Sequence, residues 1–237
     1  MRNIFRSLLP RSAARATSSG HASLSRPAAL HQLAAVMFLV CAVVFFVPVS
    51  LPYKVAYPAF VLFVGSWGFP RPLAFAFLFS ALGDVGGAAG NFLLQMGFFG
   101  VAQACFAGYF ARRLSRLSLW RKGRMGLAAL PAVLMLGWML PTILPCVSPD
   151  FLRPGVTVYA LLILLMMWLA LQQESPWWAL GALLFVASDT CLAWNKFVGP
   201  VMNARLWIMT TYYGALLLLY ADSAFHRHEI SPRSNAL

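Results

Sequence analysis

Long apolar segments follow one another along the chain, separated by short connections rich in Lys, Arg, Asn, Pro and Gly. A helix needs about 20 predominantly apolar residues to cross a bilayer. Segments close to this length occur at 29–50, 53–69, 71–89, 91–111, 125–145, 155–172, 176–196 and 201–222. No connection between them is long enough to hold a soluble domain. The pattern therefore predicts an all-α integral membrane protein, a bundle of about eight transmembrane helices.

The composition supports a membrane protein and argues against a nucleic-acid partner. Of the 237 residues, 61% are hydrophobic and 10% are charged, whereas soluble domains have about 25% charged residues. The net charge of +12 comes mainly from Lys and Arg at the ends of the apolar segments. That position is typical of loops beside anionic lipid headgroups. We therefore expect no nucleic-acid binding.

The basic residues also predict the orientation. Residues 1–27 contain five arginines and no acidic residue, the connection 112–124 is strongly basic, and so is the end of the chain. With eight spans these three parts share one side, which the positive-inside rule assigns to the cytoplasm. We expect a disordered tail at 1–27, a transmembrane domain at 28–223 and a short polar tail at 224–237, in the bacterial inner membrane. The alternative is an organelle transit peptide and an organelle membrane.

Neither the cysteines nor the histidines form a metal-binding pattern. The cysteines have no CxxC spacing, and we expect them to be small buried residues: Cys41, Cys105, Cys146 and Cys191. The histidines come before or at the first segment, or after the last: His21, His31, His226 and His228. No zinc site is expected at membrane depth, and no cofactor is expected.

Two of the six acidic residues, Asp84 and Asp189, fall well inside apolar segments. A carboxylate in hydrocarbon is costly, so an intramembrane acid is a candidate for function. Each Asp comes thirteen residues after the start of its segment, at Arg71 and Pro176, and both segments run outward. At 1.5 Å per residue both lie about 20 Å from the cytoplasmic end. The alternative is that each is a neutral, hydrogen-bonded structural residue.

Other polar residues are expected in the same layer or just outside it. Gln103, Tyr212 and Tyr213 should lie near mid-depth, and the outer end should carry Lys54, Asn195, Lys196 and Arg205. Buried tyrosines often serve in packing with one satisfied hydroxyl. The sequence predicts a polar pocket with two carboxylates and a cationic rim, opening outward.

The stretch "GALLFVASDTCLAWNKF" at 181–197, followed by "IMTTYYGALLLL", resembles the lysoplasmalogenase (YhhN-like) family of membrane hydrolases. "FSALGD" at 79–84 and Lys54 extend the resemblance. It implies an eight-span enzyme that cleaves the vinyl ether bond of lysoplasmalogens, releasing a fatty aldehyde and a glycerophospho-head-group. The family's aspartates correspond to Asp84 and Asp189, its lysine to Lys54, and its tyrosines to Tyr212 and Tyr213.

The sequence departs from the family pattern at three single positions and in the glycine-rich stretch 85–91, "VGGAAGN", that follows Asp84. Where the family has a His followed by a Tyr in span four, this chain has Gln103 and Phe106. Where a Gln follows the tyrosine pair, it has Leu216. An inactive relative that binds lysolipid is therefore one alternative. A proton-coupled transporter, which also uses intramembrane acids, is the other.

The expected chemistry needs two carboxyl groups in different protonation states, as in glycosidases. Asp84 and Asp189 are the expected acid/base pair. Gln103, Tyr212 or Tyr213 would orient water or the glycerol hydroxyl, with Asn195 nearby, and Lys54 and Arg205 would hold the phosphate. The hydrocarbon chain of the lysophospholipid is expected along apolar walls, for example Phe79, Leu183 and Phe185.

Overall fold

The computed structural model describes residues 26–114 and 125–225, and their regular structure is entirely helical. The eight α-helices are α1 Arg26–Phe46, α2 Tyr57–Gly65, α3 Arg71–Ala88, α4 Phe92–Leu114, α5 Met125–Ile143, α6 Arg153–Leu171, α7 Pro176–Ala193 and α8 Ala204–Phe225. The prediction of an all-α membrane protein is confirmed. Most of the tails predicted at 1–27 and 224–237 (residues 1–25 and 226–237), and residues 115–124 of the basic connection, lie outside the described residues, whereas 26–27 and 224–225 are the ends of α1 and α8.

The helices differ in whether their length and apolar composition are sufficient to cross a membrane. Within the described ranges, α1, α4, α5, α6 and α7 are long and apolar enough to do so. The helices α3 and α8 are of similar length but are not among these five, and they carry several of the candidate site residues. Five helices thus have the length and composition of full spans, and the eight predicted segments all correspond to helices.

The second helix is shorter than the predicted segment 53–69. A 3₁₀ turn at Lys54–Ala56 leads into α2, and together they extend to Gly65, about 18 Å at 1.5 Å per residue. The helix ends there because the chain turns back before α3, with Gly68 at a φ of 84° that glycine adopts without strain. This element is too short to span a hydrocarbon core of about 30 Å.

Glycines allow α3 and α4 to approach closely, and this pair forms the most extensive interface. A Cβ on Gly86 would lie 2.8 Å from the backbone nitrogen of Gln95, and one on Gly83 would lie 2.9 Å from the Phe99 ring. The glycine-rich stretch after Asp84 therefore has a packing role. It sets the distance between α3 and the first turns of α4.

A buried polar contact joins α1, α2 and α8. His31 lies inside α1, with Nδ1 3.0 Å from the Gly65 carbonyl oxygen and 3.1 Å from the Tyr220 hydroxyl. The Tyr220 hydroxyl donates to the same carbonyl at 2.8 Å. This carbonyl is near the end of α2, where intrahelical partners are lacking, so the two side chains complete its hydrogen bonding.

The cysteines are less buried than expected. All four are free thiols; Cys146 is exposed, and the other three are half-buried. Cys105 packs against the edge of the hydrophobic core, where a small apolar side chain is easily accommodated.

Candidate active site

Asp84 lies near the end of α3 and is buried. The Tyr212 hydroxyl of α8 donates a hydrogen bond of 2.9 Å to its Oδ2. Tyr212 is held in place by edge-to-face contacts with Phe99 and Phe185. Two helices remote in sequence therefore meet at this carboxyl group.

Asp189 lies on α7 and is half-buried. Its Oδ2 accepts a hydrogen bond from the hydroxyl of Tyr159 on α6. The preceding residue, Ser188, donates to the Ile208 carbonyl at 2.9 Å and so ties α7 to α8 beside the carboxyl. Each aspartate thus has its own tyrosine donor, from a different helix.

Both aspartates line one cleft between α3, α4, α7 and α8. The same cleft is lined by Tyr212, Gln95 and Arg205. The Arg205 guanidinium donates to the Phe45 carbonyl at 3.3 Å and lies 4.5 Å from the centre of the Phe45 ring. A cation is therefore held at the wall of a cleft that contains two carboxyl groups.

A second, apolar cavity lies on the other side of Asp189 between α4, α5, α6 and α7. Its polar lining residues are confined to Gln95, Tyr159, Asp189 and Thr190, and the rest of its lining is apolar. Gln95, Phe99, Asp189 and Leu192 line both spaces. Asp189 is thus the functional group at the boundary between a polar cleft and an apolar cavity.

Three of the predicted site residues contact backbone elsewhere and line neither space. Lys54 donates to the carbonyls of Val47 and Val49 at 2.7 and 2.9 Å, so its ammonium group stabilises the connection before α2. Asn195 accepts from the Val201 nitrogen at 3.0 Å, and Tyr213 donates to the Val55 carbonyl at 2.9 Å. The structure brings together Asp84, Asp189, Tyr212 and Arg205.

Gln103 is fully buried in α4. Within the part of the chain that the structure describes, neither amide atom makes a hydrogen bond, although the side chain lies beside the Tyr159 hydroxyl. Phe106 and Leu216, at the other two departures from the family pattern, are fully buried in the core. Of the three residues that differ from the family pattern, Gln103 is therefore the one linked to an aspartate: it lies beside Tyr159, which donates to Asp189.

The three residues expected to form apolar walls for a hydrocarbon chain line neither the cleft nor the cavity. Phe79 stacks on Phe98, Phe185 is in the closed core, and Leu183 is exposed on the helix surface. None of the three lines the apolar cavity. An outward-facing apolar residue cannot be told from a cavity-lining one by hydropathy in a membrane protein, since both faces are apolar.

Sequence reasoning also missed Tyr159, Gln95 and the apolar cavity itself. Val156, Tyr159, Ala160 and Ile163 line this cavity from α6, and their spacing places them on one helical face. A single tyrosine within the otherwise apolar middle of α6 was the available signal. Among the described residues, no group of three or more His, Cys, Asp and Glu is arranged to hold a metal ion.

A sequence model of the YhhN family matches residues 51–223, most of the chain. The chain belongs to the YhhN family. The matched region contains both aspartates, their tyrosine partners and Arg205. No solved structure matches the chain.

This YhhN-family chain is similar to proteins named lysoplasmalogenase. It is 46% identical to lysoplasmalogenase TMEM86B of Sus scrofa over 94 residues, which are 39% of this chain and 37% of the relative. The human TMEM86B is 44% identical over 88 residues, 37% of this chain and 38% of the relative. Lysoplasmalogenase TMEM86A of Bos taurus is 30% identical over 174 residues, 65% of each chain. In all three, the match covers less than two thirds of the relative's length.

Proposed function

We propose that this YhhN-family protein is a lysoplasmalogenase-like hydrolase that cleaves the vinyl ether bond of lysoplasmalogens to a fatty aldehyde and a glycerophospho-head-group. The observation that carries the proposal is the cleft in which Asp84 and Asp189 meet, each with a tyrosine donor. The names of the relatives support the same reaction.

The two carboxyl groups match the needs of vinyl ether hydrolysis. One aspartic acid donates a proton to the β-carbon of the vinyl ether, and an oxocarbenium ion forms at the ether carbon. The other, as carboxylate, stabilises this cation and accepts a proton from the attacking water. As the hemiacetal collapses, the first aspartate, now a carboxylate, accepts the hemiacetal hydroxyl proton, and the second, now protonated, gives its proton to the departing glycerol oxygen. The carbon–oxygen bond breaks to give the aldehyde and the free glycerol hydroxyl, one water molecule is consumed, and both aspartates return to their starting protonation states.

Arg205 supplies the positive charge that a phosphate needs. Its guanidinium group lines the cleft and remains fixed by the Phe45 carbonyl and ring. A guanidinium group offers donors in a planar geometry that suits phosphate oxygens. In this arrangement the glycerophosphate lies toward Arg205, and Tyr212 can orient the water or the glycerol hydroxyl. In this proposal Lys54 and Asn195 do not bind the substrate, because both contact backbone groups outside the cleft.

The direct test is aldehyde release by the purified protein from a lysoplasmalogen. Asp84→Asn and Asp189→Asn keep the side-chain size and an oxygen acceptor for the tyrosines but remove the ionisable group. We expect each variant to lose aldehyde release by at least about a hundredfold, since general acid–base catalysis contributes about 10²–10⁴. Unchanged thermal unfolding would show that the fold is retained.

Asp150→Asn is the matched control, because Asp150 is an exposed carboxylate that pairs with Arg153 at 3.1 Å. Surface ion pairs contribute little to stability, so this variant should keep full activity. Undiminished release by both Asp84→Asn and Asp189→Asn would contradict the acid/base assignment.

A second candidate is an inactive relative that binds lysolipid, and the observation that favours it is Gln103. This amide replaces the histidine of the family pattern next to Tyr159. Saturable binding of a lysoplasmalogen with no aldehyde after prolonged incubation would establish this alternative. Aldehyde release that depends on both aspartates would exclude it.

The proposed setting is a membrane in which both ends of the chain face the cytoplasm, as the basic connections indicate. The bacterial inner membrane is the proposed location. The substrate would then reach the cleft from the outer half of the bilayer. This orientation places the substrate's head group, like Arg205 at the start of α8, toward the outer surface.

A further inference from the structure

Gln95 lies near the start of α4 and lines both the cleft and the apolar cavity. Its amide packs against the backbone of α3, since a Cβ on Gly87 would lie 2.6 Å from Nε2 and 3.1 Å from Oε1. Gly87 follows Asp84 by three residues, so the two lie on one face of α3. The amide of Gln95 is therefore fixed beside the turn of α3 that follows Asp84.

The Gln95 amide has hydrogen-bonding capacity that the neighbouring hydroxyl groups lack. Among the described residues, four hydroxyl-bearing side chains line these two spaces, and each donates its one hydrogen to an aspartate or to a main-chain carbonyl: Tyr159, Tyr212, Ser188 and Thr190. The Gln95 amide makes no hydrogen bond within residues 26–114 and 125–225. It has two donor hydrogens and a carbonyl acceptor, so it can bind a small polar molecule in the cleft.

Asp189 is the carboxyl group that lines both spaces together with Gln95, whereas Asp84 lines the cleft alone. The Tyr159 hydroxyl donates to Oδ2 of Asp189, which leaves Oδ1 as a further acceptor. An attacking water molecule needs two acceptors: one takes the proton that leaves, and the other holds the hydrogen that stays. The carboxylate of Asp189 and the amide oxygen of Gln95 supply these two acceptors.

We propose that Gln95 is a catalytic residue that holds the attacking water against Asp189. The inference rests on the proposed function, and it assigns Asp84 as the acid and Asp189 as the base. The water gives one proton to the Asp189 carboxylate while its oxygen forms the bond to the oxocarbenium carbon. Its other hydrogen is donated to Oε1 of Gln95 and stays on the hemiacetal hydroxyl. At collapse the Asp84 carboxylate accepts that proton, and Asp189 gives its own to the glycerol oxygen.

The fate of the oxocarbenium ion reports whether the water is held, and deuterium oxide makes this fate measurable. Protonation of the vinyl ether in deuterium oxide places a deuteron on the β-carbon. When a positioned water attacks at once, the ion goes forward and the unreacted substrate stays unlabelled. When the water is poorly held, the ion loses a proton from the same carbon and returns to a vinyl ether that carries deuterium.

Gln95→Met removes the amide and keeps an unbranched side chain of similar length. We expect it to lower kcat for aldehyde release from a lysoplasmalogen by about tenfold or more, since poor positioning of a reacting group can cost about a hundredfold. KM should change little, and mass spectrometry of the recovered substrate should show deuterium at the vinyl ether. Gln95→Asn, which draws the amide back by one methylene, should show the same changes if Gln95→Met fails to fold.

Gln173→Met is the matched control. Gln173 is also half-buried, lines neither space, and donates to the carbonyls of Phe110 and Leu169 at 3.1 and 3.0 Å. Per mole of folded protein, this variant and the wild type should release aldehyde at equal rates. Both should leave the recovered substrate unlabelled.

The results separate this proposal from the proposed function. Wild-type kcat and unlabelled substrate with Gln95→Met, or equal effects of the two methionine substitutions, would overturn the role of Gln95 and leave the hydrolase in place. Slower release without deuterium in the substrate would also overturn it, because no ion then returns to the vinyl ether. Wild-type protein that releases no aldehyde would reject the hydrolase and the role of Gln95 together.

Discussion

At the scale of single residues, each aspartate is oriented by a hydrogen bond from one tyrosine. Tyr212 donates to Asp84 and Tyr159 donates to Asp189. A hydroxyl donor directs one carboxyl oxygen and leaves the other for a second partner. This arrangement orients both groups toward the shared cleft, where protons must move during the proposed reaction.

Tyr159 is a positioning residue, and Tyr159→Phe tests it by removing only the hydroxyl. Hydrogen bonds to charged groups contribute about 1.5–3 kcal/mol, so we expect kcat to fall by about tenfold to a hundredfold. KM should change little, because the ring still fills the cavity wall. Steady-state aldehyde release separates the two constants.

Tyr57→Phe is the control for this substitution, since the Tyr57 hydroxyl donates to the Pro52 carbonyl at the exposed end of α2. It should leave both constants unchanged. A Tyr159→Phe enzyme with wild-type kcat would show that the hydroxyl has no positioning role.

At the scale of elements, the glycines of α3 determine how α4 contributes to the site. Gly87 leaves room for the Gln95 amide, which a Cβ there would approach to 2.6 Å. Gln95 and Phe99 of α4 line both the cleft and the cavity. The spacing between α3 and α4 therefore sets the width of the cleft around Asp84.

Gly86→Ala should destabilise the protein, because the new methyl group would lie 2.8 Å from the Gln95 backbone nitrogen and 3.1 Å from the Leu94 carbonyl carbon. Backbone atoms cannot move aside as a flexible side chain can. Overpacking of this kind costs about 1–3 kcal/mol, and a lower Tm is expected in detergent.

Gly97→Ala, on α4, is the matched control, since a Cβ there meets nothing within 4 Å. Alanine is the better helix former by about 1 kcal/mol, so its Tm should be equal or higher. Equal Tm values for Gly86→Ala and Gly97→Ala would contradict the close packing of α3 and α4.

At the scale of the whole molecule, the bundle places one apolar and one polar space side by side. The cleft is formed mainly by α3, α4, α7 and α8, and the cavity by α4, α5, α6 and α7. The shared helices α4 and α7 carry the residues common to both.

The proposed orientation is tested by reporter fusions in bacteria. A C-terminal green fluorescent protein should fluoresce, and C-terminal alkaline phosphatase should be inactive, because the basic ends are expected in the cytoplasm. Phosphatase inserted in the connection between α7 and α8 should be active. Active phosphatase at the C-terminus would contradict the proposed orientation.

The sequence by itself determined the helical membrane architecture and the two aspartates. Hydropathy located the helices because each span must satisfy its own backbone hydrogen bonds in lipid. Asp84 and Asp189 were evident because charge is rare and costly at that depth. Because the two aspartates are equally far from the starts of their segments, the sequence also predicted that they lie at similar depth. Their position in one cleft agrees with this prediction.

Only the tertiary structure decided which other residues join them. The ammonium group of Lys54 and the hydroxyl of Tyr213 are directed to backbone carbonyls, whereas Arg205 lines the cleft. Tyr159 contacts Asp189 from α6, a helix whose cavity-facing and lipid-facing sides are both apolar. Hydropathy gives the depth of a residue but not its rotation about the helix axis when lipid and core are equally apolar. Helix packing sets that rotation, and with it the apolar cavity.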